Sequence, residues 1–357
     1  MKILILALSG IGDALMFTPA LKLLRQSFPS AQIDALVMIG GTKEIYEVNP
    51  NFNKVIHFDF LKEGMFNSLK FVLSLRKKYD ATISVYPSNR KEYNIINFLL
   101  GSNKRVGVKY LRMNNFNFGW LNNVTFLENE VTHNVQTNIK LIEKLLSKKF
   151  DEEPAMEIHL SDENKKFAED YIKKNRINEN DFVVGFHPGC ATLKNHIKRR
   201  WEPEKFAELG KKLIKDKNAK VFLFGGPDEE ELKSSINSMT DSANSFLIKT
   251  EKFLQSIAIM KRCNVFVTND SALMHVASAL GLKVIAIIGP TNTHYIHPWK
   301  TEYKIVSLNL DCAPCFFYTP KHLACSRTDV QFKCIKELDV DMVWNNIFQK
   351  GELPWIG

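Results

Sequence analysis

A carboxylate close to the N-terminus is the first group in the sequence that could do chemistry. Asp13 ends the stretch Gly10-Ile11-Gly12-Asp13, which follows the apolar run Ile3–Leu8 and precedes a predicted helix. In dinucleotide-binding folds, glycines at this point let the chain approach a pyrophosphate at the helix N-terminus. Here Leu15 stands where that fingerprint needs glycine or alanine, and Asp13 would repel a diphosphate. We therefore expect no dinucleotide site, and Asp13 either caps the helix or is presented at the carboxyl edge of a sheet.

A cluster of cations follows a second predicted strand, Phe182–Phe186. That strand leads into His187-Pro188-Gly189-Cys190 and then into a basic loop that ends at Trp201. Cationic side chains just beyond the end of a strand can bind a phosphate or another anion, although a basic loop can also simply be solvated. The cations of this loop are Lys194, Lys198, Arg199 and Arg200.

Two further strand-to-helix turns carry polar residues that suit a phosphorylated ligand. Asp270-Ser271 begins a predicted helix whose free N-terminal amides could hold a phosphate, and His275 follows one turn later. The turn Gly225-Gly226-Pro227 leads into Glu229, which could bind ribose hydroxyls or only add negative charge to the first turn of its helix. For His275 the alternative is a hydrogen-bonded histidine of the core.

Four of the six cysteines lie close together near the C-terminus. A Cys-x-x-Cys pair with two further thiols could hold zinc in a tetrahedral site, and the alternative is free thiols or a redox pair. The N-terminus has no basic segment followed by a cleavage site, so we expect neither a secretory signal nor disulfides. The four residues are Cys312, Cys315, Cys325 and Cys334.

Strands and helices that must position these residues alternate along the chain in two successive cycles. Apolar strands separated by amphipathic helices predict parallel sheets covered on both faces, so the expected fold class is α/β with two doubly wound domains. We place the first domain at residues 1–170, the second at 171–335 and a terminal helix at 336–357. Residues 110–130 are polar and aromatic without a clear period, which predicts a surface flap.

The composition limits the class of protein and of partner. Of the 357 residues, 45% are hydrophobic and 24% are charged, which is typical of a globular chain. The sequence has no apolar run of the roughly 18 residues that a membrane-spanning helix needs. The net charge of +9 favours polyanionic partners, namely nucleic acid, anionic lipid or phosphorylated substrates.

Taken in order, four segments resemble the motifs of glycosyltransferase family 9, the heptosyltransferases of lipopolysaccharide core assembly and their relatives. The segments are SGIGDALMFTPALKLLRQSFP, HPG…KRRWEPEKFAELGKKL, FGGPDEEE and TNDSALMHVASALGLKVIAIIGPT. The resemblance runs from residue 1 to residue 335. It implies a GT-B architecture, in which two Rossmann-like domains face a cleft. It also implies an inverting transfer from a nucleotide-diphosphate sugar, usually ADP-heptose, that requires no metal or other cofactor.

The resemblance further implies partners and a location. The acceptor is expected to be a lipid-linked glycan, the second domain is expected to bind the nucleotide sugar, and no nucleic acid is expected as a partner. We expect a cytoplasmic enzyme that can associate peripherally with the cytoplasmic face of the inner membrane.

Carried over residue by residue, the resemblance makes Asp13 the general base that takes the proton of the acceptor hydroxyl. Gly10 and Gly12 then belong to a loop that faces the acceptor. The residues implied on the donor side are Gly189, Cys190, Lys198, Arg199, Glu229, Asp270, Ser271, Ala272 and His275.

Two donor-side positions depart from the pattern of the family. Ala272 replaces a glycine that is usual there, so a methyl group crowds the approach to the helix amide. Arg199 occupies the place of a lysine, and Lys198 lies one residue further from the tryptophan. Without a metal, one of these cations and the helix amides near Ser271 must take up the charge of the departing diphosphate.

Two other functions remain open for a chain of this fold. A nucleotide-sugar 2-epimerase would process a free donor without any acceptor. A non-catalytic protein that kept the nucleotide-sugar site is the second, and Ala272 would fit it. An NAD-dependent oxidoreductase is excluded because it needs a complete GxGxxG and an acidic residue after the second strand, and neither is present.

Overall fold

The computed structural model describes residues 1–348 as two units, each built around a parallel sheet of six strands. These two sheets, with helices between their strands, confirm the predicted α/β class with two doubly wound domains. Most of unit 1 precedes unit 2 in sequence, and two short later segments return to it. Unit 1 consists of Met1–His159, His294–Ile296 and Tyr318–Pro320, and unit 2 consists of Leu160–Thr293, His297–Phe317 and the chain from Lys321 onward.

Unit 1 alternates six strands with five helices. The strands are β1 (Lys2–Ala7), β2 (Gln32–Val37), β3 (Lys54–His57), β4 (Ala81–Ser84), β5 (Lys104–Lys109) and β6 (Val124–Leu127). The helices are α1 (Ile11–Ser27), α2 (Gly40–Glu47), α3 (Gly64–Ser74), α4 (Lys91–Leu99) and α5 (Asn134–Leu146). The strand order β3-β2-β1-β4-β5-β6 is that of a Rossmann-like sheet. Every residue of β1 after Lys2 is buried, because helices cover both faces of a parallel sheet.

Unit 2 repeats the same order, β9-β8-β7-β10-β11-β12, with all neighbouring strands parallel. Its strands are β7 (Val183–His187), β8 (Lys220–Leu223), β9 (Ser245–Leu247), β10 (Val265–Asn269), β11 (Lys283–Ile287) and β12 (Tyr303–Val306). The helices that follow α5 in the chain are α6 (Asp162–Lys174), α7 (Pro203–Lys217), α8 (Glu230–Thr240), α9 (Phe253–Met260), α10 (Ala272–Ala279), α11 (Thr293–Ile296), α12 (Lys333–Lys336) and α13 (Val340–Phe348).

Local sequence explains where several helices begin. The hydroxyl of Ser161 accepts a hydrogen bond from the amide of Asn164 at 3.2 Å and so caps α6. Helix α7 begins with Pro203, whose fixed φ and missing N–H suit the first position of a helix. No helix among residues 1–348 combines the length and the apolar character that crossing a bilayer requires.

Three features differ from the predicted organisation. The predicted boundary at 170/171 falls inside α6, which packs on α9, so the structure divides the chain between residues 159 and 160 instead. The predicted flap at 110–130 contains β6 and a short 3-10 turn, Gly119–Leu121. The predicted terminal helix at 336–357 corresponds to α13, which packs on α7, and residues 349–357 lie outside the described part.

Candidate active site

Asp13 lies in the first turn of α1, at the carboxyl edge of the unit 1 sheet. Gly10 holds the N-cap position with extended backbone, and the carboxylate Oδ2 of Asp13 accepts a hydrogen bond from the Gly10 amide at 3.0 Å. Asp13 is therefore the third residue of the helix, and its carboxylate accepts from the amide of the N-cap residue. The sequence had allowed Asp13 to be the N-cap itself. The neighbouring Gly12 is buried within α1, while Asp13 is half-buried.

Three tyrosines lie close enough to Asp13 for its charge to affect their pKa values. Burial raises the pKa of Tyr46, Tyr93 and Tyr110, and the negative charge of Asp13 raises it further in each case. Two of these phenols donate to backbone carbonyls, Tyr46 to Ala14 at 2.8 Å and Tyr93 to Leu8 at 2.7 Å. All three phenols therefore stay protonated at neutral pH, so they do not compete with Asp13 as acceptors of a proton.

In unit 2, His187 is the last residue of β7 and links two of the predicted donor residues. Its Nε2 lies 3.0 Å from Oε2 of Glu229, and its Nδ1 lies 2.8 Å from Oγ of Ser271. A carboxylate can only accept, so Nε2 carries a proton, and in a neutral imidazole Nδ1 accepts from the serine hydroxyl. Ser271 holds the N-cap position of α10 without a capping hydrogen bond, because its hydroxyl is directed to His187.

Glu229 is held by three partners and remains ionised. Besides His187, its carboxylate accepts from the Gly226 amide at 3.0 Å and from Nη2 of Arg200 at 3.4 Å. Burial acts to raise the pKa of Glu229, but His187, the Gly226 amide and Arg200 outweigh it and hold that pKa below its usual value. The carboxylate also lies against Gly189, where an added Cβ would fall 1.7 Å from Oε1. Glycine at residue 189 is thus required by a close approach rather than by its φ angle.

The structure separates the two candidate cations of the basic loop. Arg199 is buried, and its Nη1 lies 2.5 Å from Oδ2 of Asp270, which also accepts from the hydroxyl of Thr291 at 2.6 Å. The guanidinium lies 5.0 Å from the ring centroid of Phe316. The side chain of Lys198 is instead exposed. Arg199 therefore forms a buried ion pair within unit 2, whereas Lys198 is open to solvent, and which of the two contacts the diphosphate remains a prediction.

Arg199, Arg200 and His275 of unit 2 each have a buried nitrogen that lacks a hydrogen-bond partner among the described residues. These atoms are Nε of Arg199, Nε of Arg200 and Nδ1 of His275. Burial lowers the pKa of His275 to about 4, against the opposing charge of Asp270, so the imidazole is neutral at physiological pH. Buried polar atoms are usually paired in folded proteins, so these three nitrogens retain hydrogen-bonding capacity that the described residues do not use.

Cys190 presents its thiol to the basic loop rather than to solvent. The buried Sγ donates to the carbonyl of His196 at 3.2 Å, and the Cys190 carbonyl accepts from Nη2 of Arg200 at 2.9 Å. Burial raises the pKa of the Cys190 thiol, so it stays protonated and is not a nucleophile at neutral pH. Its predicted contact with the diphosphate remains a prediction.

The four C-terminal cysteines do not support the predicted zinc site. Cys312 and Cys315 are exposed, Cys325 is half-buried and Cys334 is buried, and all are free thiols. Burial raises the pKa of Cys334 to about 11, with the neighbouring thiols adding to the effect. Within residues 1–348, no group of three or more His, Cys, Asp or Glu side chains is arranged to hold a metal ion. The residues therefore do not fit the zinc site that the spacing allowed.

Sequence reasoning missed two members of the donor-side network. His187 and Arg200 stand inside the quoted motifs, but their connection with Glu229 spans 42 and 29 residues of sequence and depends on the strand order. One usable signal was the position of His187 at the end of an otherwise apolar strand, because a polar residue at the carboxyl end of a central strand is a candidate for the site.

Two comparisons with solved structures concern the fold. The E. coli ADP-heptose LPS heptosyltransferase II gives a TM-score of 0.73 at 21% identity, covering 97% of each chain. The E. coli heptosyltransferase WaaC with ADP-2-deoxy-2-fluoro heptose gives 0.64 at 20% identity, covering 86% of this chain and 93% of that chain. At these identities the likeness shows that the fold is shared.

The sequence comparisons also identify the family. Lipooligosaccharide heptosyltransferase 2 of Campylobacter jejuni serotype O:6 is 26% identical over 352 residues, covering 95% of this chain and 98% of the relative. The sequence model of glycosyltransferase family 9 (heptosyltransferase) matches residues 68–324, which is well over half of the chain. The Asp13 loop lies in unit 1, and the networks of Glu229 and Arg199 lie in unit 2. By its match to the family model, the chain is a glycosyltransferase and belongs to family 9, the heptosyltransferases.

Proposed function

We propose that this glycosyltransferase moves a heptose from ADP-heptose onto a glycan acceptor of the lipopolysaccharide core, with inversion at the anomeric carbon. Two of the proteins named above carry lipopolysaccharide or lipooligosaccharide heptosyltransferase in their names, and a third heptosyltransferase was solved with ADP-2-deoxy-2-fluoro heptose. The observation that carries the proposal for this chain is the set of three buried, unpaired nitrogens on Arg199, Arg200 and His275. Each could donate to an oxygen of a diphosphate sugar.

Positive charge is the main feature of the proposed donor side. Arg199 and Arg200 each have one nitrogen engaged by an internal carboxylate, which fixes the guanidinium while its buried Nε is unpaired. Lys198 and the first amides of α10 add further positive potential. Such preorganised donors can stabilise the charge that develops on a departing diphosphate, so the proposed reaction requires no metal ion.

The acceptor side rests on Asp13. In the proposed step, Asp13 takes the proton of the acceptor hydroxyl as its oxygen attacks the anomeric carbon. The bond from that carbon to the diphosphate breaks, and ADP leaves with the bonding electron pair. The hydrogen bond from the Gly10 amide holds the carboxylate in one orientation, as a general base requires.

A titration of ADP, UDP and GDP, followed by product analysis with ADP-heptose, tests the proposal. We expect ADP to bind tightly and UDP and GDP to bind weakly. With ADP-heptose, we expect the release of ADP to depend on the acceptor and to persist in excess chelator. Conversion of the free sugar nucleotide without acceptor would indicate an epimerase, and binding without any turnover would indicate a non-catalytic protein. Either result would contradict the proposed function.

The partners follow from the same proposal. A core glycan is built on lipid, so the acceptor is proposed to be lipid-linked and the enzyme to work in the cytoplasm, at the cytoplasmic face of the inner membrane. Nucleic acid has no place in this reaction.

A further inference from the structure

Helix α3 of unit 1 presents an apolar stripe to solvent. Met65 and Phe66 are 88% and 81% exposed, and Leu61 in the preceding loop is 74% exposed. Leu69 and Leu73 continue the stripe one and two turns further along the helix. At 3.6 residues per turn, the four helical side chains fall within about 100° of the helix circumference. These five residues are called the α3 face below.

A neighbouring side of α3 already anchors the helix. Val72 is buried, and Phe71 and Leu75 pack with it in a cluster that includes Leu6 of β1. The ring of Phe71 stacks on that of Phe58 with centroids 4.0 Å apart. The fold therefore does not need the α3 face for its core, and large side chains of this kind at such exposure usually mark an interaction surface.

The segment of sequence that contains α3 carries much of the positive charge of the chain. Residues 61–112 contain 11 lysines and arginines and 3 acidic residues, a net charge of +8 out of the +9 of the whole chain. Lys70, Lys77 and Lys78 are exposed in α3 and just after it. An apolar stripe bordered by lysines is the pattern of a segment that lies in the interface of an anionic bilayer.

Neighbouring elements of unit 1 also expose large apolar side chains. That helix packs on α4, which exposes Ile95 and Phe98, and α4 in turn packs on the turn Gly119–Leu121, where Trp120 is 64% exposed. Tryptophan favours the interface between lipid and water because its ring is apolar and its N–H is polar.

The α3 face also lies at the edge of the sheet that carries Asp13. Strands β1 and β3 are parallel and separated only by β2, so the Gly10 turn and the loop that holds Leu61 leave the same edge about 10 Å apart. Side chains that enter a bilayer at Leu61, Met65 and Phe66 would thus bring this edge to the lipid surface.

We propose that the α3 face and its lysines are the surface by which unit 1 docks on an anionic lipid bilayer. The support for docking is the exposure of the α3 face and the charge of the neighbouring lysines. Its purpose, to bring the acceptor loop to a lipid-linked glycan, rests on the proposed function.

Charge favours lipid over a second copy of the chain as the occupant. A symmetric dimer through the α3 face would place the same patch against itself, and with it the exposed Lys70, Lys77 and Lys78 of both copies. Like charges brought together in this way oppose association, whereas an anionic bilayer attracts them.

Co-sedimentation of the full chain with vesicles tests the proposal and needs no enzymatic activity. Wild type should bind vesicles of phosphatidylglycerol mixed with phosphatidylcholine, bind phosphatidylcholine alone weakly, and be released by salt. Met65→Ser with Phe66→Ser should weaken binding about tenfold or more, because two apolar side chains no longer enter the interface. Lys70→Gln with Lys78→Gln should weaken it about thirtyfold at low salt, from about 1 kcal/mol per lysine.

The matched control is Lys211→Gln with Lys215→Gln, which removes the same charge from an exposed face of α7 in unit 2 and should leave binding close to wild type. Equal loss in this control, undiminished binding of the Met65 and Phe66 variant, or equal binding of wild type to both kinds of vesicle would overturn the proposal. So would a wild-type dimer that the Met65 and Phe66 changes dissociate. ADP binding and transfer to a delipidated acceptor report separately on the proposed function and should be unchanged in all of these variants.

Discussion

The carboxylate of Glu229 lies so close to Gly189 that no side chain fits between them, since a Cβ at residue 189 would fall 1.7 Å from Oε1. Gly189 and Glu229 are both predicted donor residues, and this contact makes one depend on the other. Gly189→Ala should push the carboxylate away from His187 and Arg200, destabilise unit 2 by about 1–3 kcal/mol and weaken ADP binding. Thermal unfolding and ADP titration measure the two effects.

The control for this variant is Gly226→Ala in the turn before Glu229. Its added Cβ would meet nothing within 4 Å, and its φ of −72° suits any residue. We expect stability and ADP affinity close to wild type. Equal effects of the two substitutions would show that the close contact between Gly189 and Glu229 is not what determines stability and ADP affinity.

Replacement of Glu229 should make stability less dependent on pH. The folded-state pKa of Glu229 lies below its usual value, so the ionised carboxylate stabilises the fold at neutral pH. That contribution is lost as the pH falls through the folded-state pKa. Glu229→Gln should cost about 1–3 kcal/mol at neutral pH and progressively less in acid. Urea unfolding across this pH range tests it, with Glu231→Gln as the control because that side chain is exposed on the same helix.

The two cations of the basic loop should differ in what their removal damages. Arg199→Ala leaves Asp270 buried without its ion-pair partner and should reduce the free energy of unfolding by about 3–5 kcal/mol. Lys198→Ala should leave stability unchanged and reduce kcat/KM by a factor that corresponds to about 2–4 kcal/mol. Denaturation and steady-state kinetics distinguish the two, and a destabilised Lys198 variant with full activity would reverse the assignment.

His275 should make the fold sensitive to mild acid. Its pKa of about 4 lies below that of an unfolded histidine, near 6.5, so the unfolded chain binds the proton first. Between these values stability should fall with falling pH, by about 3 kcal/mol in total. His275→Gln should remove that part of the pH dependence, and His57→Gln, at an exposed position, should not. Identical pH profiles for wild type and the His275 variant would mean that the imidazole is not buried in neutral form.

Much of the fold was accessible from sequence because its central strands are continuous apolar runs. Val183–His187 is buried throughout, and such a run between amphipathic helices predicts a parallel sheet. Strand β6 was missed because none of its four residues is fully buried, so the segment shows neither an apolar run nor a strict alternation. The boundary between the units was displaced because α6 is polar in sequence, and its assignment to unit 2 depends on its packing on α9 and on the contact of Tyr171 with Phe222 of β8.

The sequence predicted where several polar residues lie in the fold but not how they are connected. Motifs brought Glu229, Arg199 and Asp270 to the carboxyl edge of one sheet, and the structure agrees with that placement. That Arg199 is already neutralised by Asp270, 71 residues away, depends on strand order and packing, which a single sequence does not reveal. The cysteine spacing was misleading for a related reason, since proximity in sequence does not ensure tetrahedral geometry.

The central claim is that Asp13 is the general base, and Asp13→Asn tests it most directly. An asparagine oxygen can still accept the hydrogen bond from the Gly10 amide, so the variant should fold as wild type does. It should bind ADP with unchanged affinity and lose transfer by about 10²–10⁴-fold, because an amide cannot take the proton of the acceptor hydroxyl. The decisive measurement is kcat/KM for transfer from ADP-heptose by the Asp13→Asn variant, alongside its Kd for ADP. A large loss of kcat/KM with an unchanged Kd is the predicted result, and wild-type turnover by the variant would contradict the account.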